Sequence, residues 1–153
     1  MKEETYKKAL RAIESVIEGE TDLISVMSTI ACELYHAFDY FNWVGFYRRV
    51  QEDTLKVGPY QGTHGCVTIQ IDRGVCGKCV REAHIQIEND VSQKSYHIAC
   101  SSDTRAEIVL PVLDCHGQVC AVLDIDATQT DVFDLIDVDY LRKICDHVSR
   151  RYL

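Results

Sequence analysis

Cys66, Cys76 and Cys100 are the three of the chain's eight cysteines that sit beside glycine, histidine or aromatic residues in segments reading as strand and loop. Cys100 closes Tyr96-His97-Ile98-Ala99-Cys100, where a nearby histidine favours the thiolate, the nucleophilic form of the side chain. Downstream lie Glu107, Asp124 and Asp126. Side chains alternate along a strand, so Val122-Leu123-Asp124-Ile125-Asp126 places both aspartates on one face. Carboxylates on a buried strand are costly unless they hold something. The competing reading makes both acids solvated caps of the last helix. Their charge also opposes a thiolate, so acids in such a site serve the substrate. One can bind an ammonium group, and another, protonated, can donate to an oxygen being expelled. A small molecule with a cationic amine and a reducible oxygen suits both.

The remaining thiols carry less. Cys32 and Cys145 fall on or beside helical apolar faces and Cys120 lies in an apolar strand, where a free thiol packs as a small hydrophobe. Cys115 marks a hairpin tip. Cys76-Gly77-Lys78-Cys79 has the CxxC spacing of a zinc half-site, which His97 and Cys100 could complete. Cys79, however, shares a short helix with Cys76, and the set Cys66, Cys76 and Cys100 accounts for more of its surroundings. No metal and no cofactor are expected. A thioredoxin-type redox motif is also disfavoured, because no βαβ unit surrounds it.

These residues need a scaffold. A chain of 153 residues, without a linker or repeat, is expected to form a single domain over 1–153. The charged start Met1-Lys2-Glu3-Glu4-Thr5 lacks the apolar run of a secretory signal, and nothing approaches a membrane span. The expectation is a cytoplasmic protein, where stable disulfides are uncommon. A net charge of −8 disfavours nucleic acid.

Tyr6, Leu10, Ile13, Val16 and Ile17 recur at helical spacing up to Gly19. Thr21 can cap a second helix bearing Leu23, Val26, Met27, Ile30, Leu34 and Phe38. Residues 41–49 and 54–57 read as antiparallel strands. Residues 66–71 alternate, with Val67, Ile69 and Ile71 on one side. A short helix is expected over 74–82 and a strand over 85–88. Residues 89–105 lack periodicity, and an irregular stretch of that length in a compact domain is usually functional or mobile. Residues 108–113 and 119–125 form an apolar hairpin around Asp114-Cys115-His116-Gly117. A last helix runs over about 137–151. The fold class is α+β: a mostly antiparallel sheet of about six strands flanked by N-terminal and C-terminal helices.

The segments Asn42-Trp43-Val44-Gly45-Phe46-Tyr47, Gly58-Pro59-Tyr60-Gln61-Gly62, Gly74-Val75-Cys76-Gly77, His97-Ile98-Ala99-Cys100, Glu107-Ile108-Val109-Leu110-Pro111 and Val122-Leu123-Asp124-Ile125-Asp126 resemble, in that order, the free methionine-(R)-sulfoxide reductases, enzymes built on a single GAF domain. The resemblance implies that Cys100 attacks the sulfoxide sulfur of free L-methionine-(R)-sulfoxide and is left as a sulfenic acid. Cys66 or Cys76 would then form an intramolecular disulfide with it, recycled by thioredoxin. Trp43 and Tyr47 would shape the pocket around the methyl-sulfoxide end. Glu107, Asp124 and Asp126 would hold the ammonium and oxide groups, and amides near residues 98–100 the carboxylate. A pocket enclosing both charges excludes a peptide-bonded methionine. Ser101, Ala106 and Ala127 depart from the residues usual in the family, but none removes a proposed group. A homodimer is the expected assembly. The alternatives are a non-catalytic GAF module that binds a small molecule and a redox sensor that uses the same thiols.

Overall fold

The computed structural model describes residues 1–93 and 101–152. Two helices, α1 (Lys2–Val16) and α2 (Leu23–Ala37), precede the strands β1 (Phe41–Gln51), β2 (Thr54–Gly62) and β3 (Thr68–Gln70). Helix α3 (Gly74–Glu82), strand β4 (Gln86–Glu88) and a 3-10 turn (Val91–Gln93) follow. The chain then forms β5 (Ala106–Leu113), β6 (Val119–Ala127) and α4 (Leu135–Ser149). The six strands make one sheet in the order β3-β2-β1-β6-β5-β4, and every neighbouring pair is antiparallel. This is the α+β architecture expected from the sequence.

The alternation of β1, β5 and β6 divides the sheet into two faces. Val44, Phe46, Ile108, Leu110, Leu123 and Ile125 belong to one core with Tyr6, Ile30, Leu34 and Leu141 of the three long helices. The intervening residues Trp43, Tyr47, Val109 and Val122 belong to a second, smaller core with Val75, Cys76, Cys79 and Val80 of α3. The period of two thus sends one set of side chains to the helices and the other to α3.

Local chemistry sets the boundaries, and several differ from the pattern read in the sequence. The cap of α2 is Asp22, not Thr21: its carboxylate accepts from the Ser25 N–H at 2.7 Å. Helix α4 starts earlier than expected because Asp134 and Asp137 form a reciprocal capping box. Asp137 is fully buried and accepts from Tyr6 Oη at 2.7 Å and Lys2 Nζ at 2.6 Å, tying α1 to α4. Strand β2 continues past Gly58-Pro59 to Gly62, because a register shift opposite Gly45–Tyr47 absorbs the interruption. Only Thr68–Gln70 of the alternating stretch 66–71 is strand, and Val67 is 66% exposed on this short edge. No helix among the described residues is long and apolar enough to cross a membrane.

Candidate active site

The smaller face of the sheet carries the polar groups. On β1, Trp43, Gly45 and Tyr47 pair in register with Asp126, Asp124 and Val122 of β6. On β5, Glu107 stands opposite Asp126, and on β4 Glu88 stands opposite Glu107. The acids are therefore paired residues of strands. The capping alternative for Asp124 and Asp126 does not hold: the cap of the last helix is Asp134. Glu88, Glu107 and Asp124 are buried, while Asp126 keeps partial exposure.

A cavity with about 490 Å³ of empty space, partly open to solvent, lies over this face. Trp43 and Tyr47 form its aromatic wall, and Glu107, Asp124 and Asp126 its acidic wall. Gly74, Val75 and Cys76, at the start of α3, close a further side. Helix α3 seats closely: a Cβ on Gly77 would come 2.5 Å from the Ile71 carbonyl oxygen. The lining also includes Thr63 and His64, which the sequence alone did not mark, and Ser101, noted there only as a departure from the family. No lysine or arginine lines it among the described residues.

Concentrating acids in a buried wall raises their proton affinity. Burial, reinforced by the Asp126 charge, pushes Glu107 up to about 8, against a side-chain hydrogen bond with Asp124 that acts the other way. Burial and the Asp124 charge hold the Asp126 carboxyl well above its ordinary value, opposed by a hydrogen bond with Thr104. Thr104 is itself buried, and its hydroxyl accepts from Asn42 Nδ2 at 3.2 Å. Thr104 and Asn42 thus orient Asp126, a role their sequence context did not advertise. Burial likewise raises Tyr47, keeping its phenol protonated as a donor.

The cysteines separate clearly. Cys76 is buried and free, with Sγ within 4.8 Å of carboxylate oxygens of Glu107 and Asp124. That spacing is one a small cation can bridge. Burial, then the charges of Asp124 and Glu107, push the Cys76 thiol well above its ordinary value, so it is a poor nucleophile. Cys66 is half-buried on the segment between β2 and β3 and is disulfide-bonded. Cys79, Cys145, Cys120, Cys115 and Cys32 are free. Cys79 Sγ faces the Val109 carbonyl at 3.8 Å inside the smaller core, and Cys115 is exposed at the β5–β6 turn. Cys32 and Cys120, expected in the core, keep partial exposure, and Cys120 packs at the margin of the larger core. Cys100 lies outside the described residues, as do His97 and the amides at 98–99.

Comparison with known proteins places this geometry. The GAF domain family signature matches residues 18–150. The Escherichia coli protein named free methionine-R-sulfoxide reductase is 37% identical over 143 residues, covering 94% of this chain and 86% of its own length. The chain belongs to that family of GAF domains. A Saccharomyces cerevisiae protein of the same name is 33% identical over 155 residues, covering 97% of this chain and 86% of its own. The free methionine-R-sulfoxide reductase of Neisseria meningitidis, solved in complex with its substrate, superposes with a TM-score of 0.92 at 37% identity, covering 99% of this chain and 90% of that one. In this GAF domain the sheet's smaller face, not its helical face, carries the pocket.

Proposed function

We propose that this GAF domain reduces free L-methionine-(R)-sulfoxide to L-methionine by thiol chemistry. The observation that carries the reading is an aromatic wall, Trp43 and Tyr47, beside Glu107, Asp124 and Asp126 in a pocket whose described lining has no lysine or arginine. Such a pocket takes a neutral methyl-sulfoxide group, its methyl against the rings and its oxygen toward a protonated carboxyl, with an ammonium beside it. The names of the Escherichia coli, yeast and Neisseria meningitidis relatives support the same activity.

In the proposed cycle the Cys100 thiol attacks the sulfoxide sulfur. The oxygen passes to Cys100, giving a sulfenic acid, and methionine leaves with its sulfur reduced. A protonated carboxyl, for which Glu107 is suited at neutral pH, donates to the sulfoxide oxygen as charge develops on it. The Cys66 thiol then displaces hydroxide from the sulfenic acid, which leaves as water with the thiol proton, and a Cys66–Cys100 disulfide remains. The disulfide-bonded state of Cys66 and the free, buried state of Cys76 favour Cys66 as the resolving residue. Thioredoxin, a dithiol reductant, would reduce the disulfide and restore both thiols. Backbone amides near residues 98–100 would bind the substrate carboxylate. The role is protection of free methionine from oxidative stress in the cytoplasm, by a domain spanning residues 1–153 that acts without metal or cofactor and pairs as a homodimer.

The test is NADPH oxidation coupled through thioredoxin reductase and thioredoxin. Turnover is expected with free L-methionine-(R)-sulfoxide and not with the (S) epimer or a peptide-bonded sulfoxide. Equal rates with both epimers, or none with either, would overturn the reading.

A further inference from the structure

The single tryptophan of the chain is held by more than the pocket requires. Trp43, Gly45 and Tyr47 project from the same face of β1. The indole lies along the strand over Gly45, where a Cβ would come 2.5 Å from Trp43 Cη2. Its ring stacks on Tyr47 with centroids 5.5 Å apart and planes inclined by 23°. Tyr60 pairs with Gly45 across β1 and β2. Its ring stacks on Trp43 with centroids 5.3 Å apart and planes inclined by 17°. Tyr60 is 37% exposed and is not among the residues lining the cavity.

The polar edge of the indole points along the chain. Trp43 Nε1–H donates to the Thr63 carbonyl at 2.9 Å. A Cβ on Gly65 would meet Tyr47 Oη at 3.0 Å and Trp43 Cζ2 at 3.1 Å. The backbone that delivers Cys66 therefore rests on the edges of these two rings and hangs from one of them by a hydrogen bond. A ring anchored on Tyr60 fixes the Thr63–Cys66 segment; an indole free to tilt would let it drift.

We propose that Tyr60 is a positioning residue for disulfide formation: acting through Trp43, it holds Cys66 in place to attack the sulfenic acid, without touching the substrate. The inference rests on the roles given to Cys66 and Cys100 above. In that step the Cys66 sulfur bonds to the Cys100 sulfur, the S–O bond breaks, and the oxygen leaves as water with the Cys66 proton. No outside oxidant or reductant enters.

The experiment follows one turnover of reduced protein with one equivalent of free L-methionine-(R)-sulfoxide, in the wild type, Tyr60→Leu and Tyr60→Phe. Methionine release reports the first step. Acid quenching, alkylation and mass measurement report the disulfide, and dimedone traps any sulfenic acid. Tyr60→Leu is expected to slow disulfide formation by about three- to tenfold, the scale of one lost aromatic pair. Sulfenic acid would accumulate, because disulfide formation slows by more than methionine release does. Tyr60→Phe keeps the stack and is expected to restore the rate. An unchanged rate of disulfide formation in Tyr60→Leu, or a slowing shared equally by methionine release, overturns the proposal. Hydrogen peroxide offers a second route to the sulfenic acid, so the same three proteins can be compared even if none reduces sulfoxide. That last result would overturn the reductase reading alone.

Discussion

Glu107 on β5 stands directly opposite Asp126 on β6, so two carboxyl groups share one rung of the sheet at the wall of the pocket. Burial and the Asp126 charge lift Glu107 from 4.5 to about 8. The folded protein then binds this proton more tightly than the unfolded chain does. The stability it contributes is complete below about pH 4.5 and is lost as pH rises through about 8. The melting temperature of the ligand-free protein is expected to fall across that window, and Glu107→Gln to flatten the fall. Identical slopes in the two proteins would remove Glu107 as the source.

Cys66 and Cys76 are expected to behave differently when replaced. Cys66→Ser should release one equivalent of methionine and then stop, with a dimedone-reactive sulfenic acid left on the protein. Cys76→Ser should continue to turn over with thioredoxin, since its buried thiol is disfavoured as a nucleophile. Cys100→Ser should release none. Mass measurement after one turnover decides the matter: a disulfide surviving in Cys66→Ser but absent in Cys76→Ser would exchange the roles.

Thr104 is expected to matter without contacting the reacting sulfur. Its hydroxyl bonds Asp126 and accepts from Asn42 Nδ2. Thr104→Val keeps the shape and removes both bonds, so the KM for sulfoxide should rise by about three- to tenfold, the worth of one hydrogen bond between neutral groups. Steady-state kinetics together with a thermal melt separate this from unfolding. A KM equal to wild type would leave Asp126 oriented by other groups.

Asp137 tests the scaffold alone. It is buried where α1 meets α4 and accepts from Lys2 and Tyr6. Asp137→Ala leaves a lysine and a phenol without their acceptor, at a cost of about 3 kcal/mol. For a domain of this size the melting temperature should drop by roughly 6–12 °C. Differential scanning calorimetry measures it, and a drop under about 2 °C would show that water replaces the carboxylate.

The long elements were legible in the sequence because their periods are strong. The β5–β6 hairpin and the four helices follow from apolar spacing, and the shared face of Asp124 and Asp126 follows from alternation in one strand. What escaped depended on contacts between segments distant in sequence. Glu88 joins the acids only because β4 pairs with β5. Thr104, just before β5, acquires its role from Asn42 on β1. Thr63 and His64 reach the cavity because the chain after β2 folds back across Trp43. The choice of Asp22 over Thr21 as a cap turned on which oxygen meets the Ser25 amide, a matter of one residue that composition leaves undecided.

The two faces of the sheet imply how this domain can change. On β1, β5 and β6, one set of alternate positions is committed to the long helices and the other to the smaller core and the cavity beside it. A lineage could therefore rewrite every second residue of those strands and meet a new ligand while the scaffold below stayed intact. Mutational freedom here runs with a period of two.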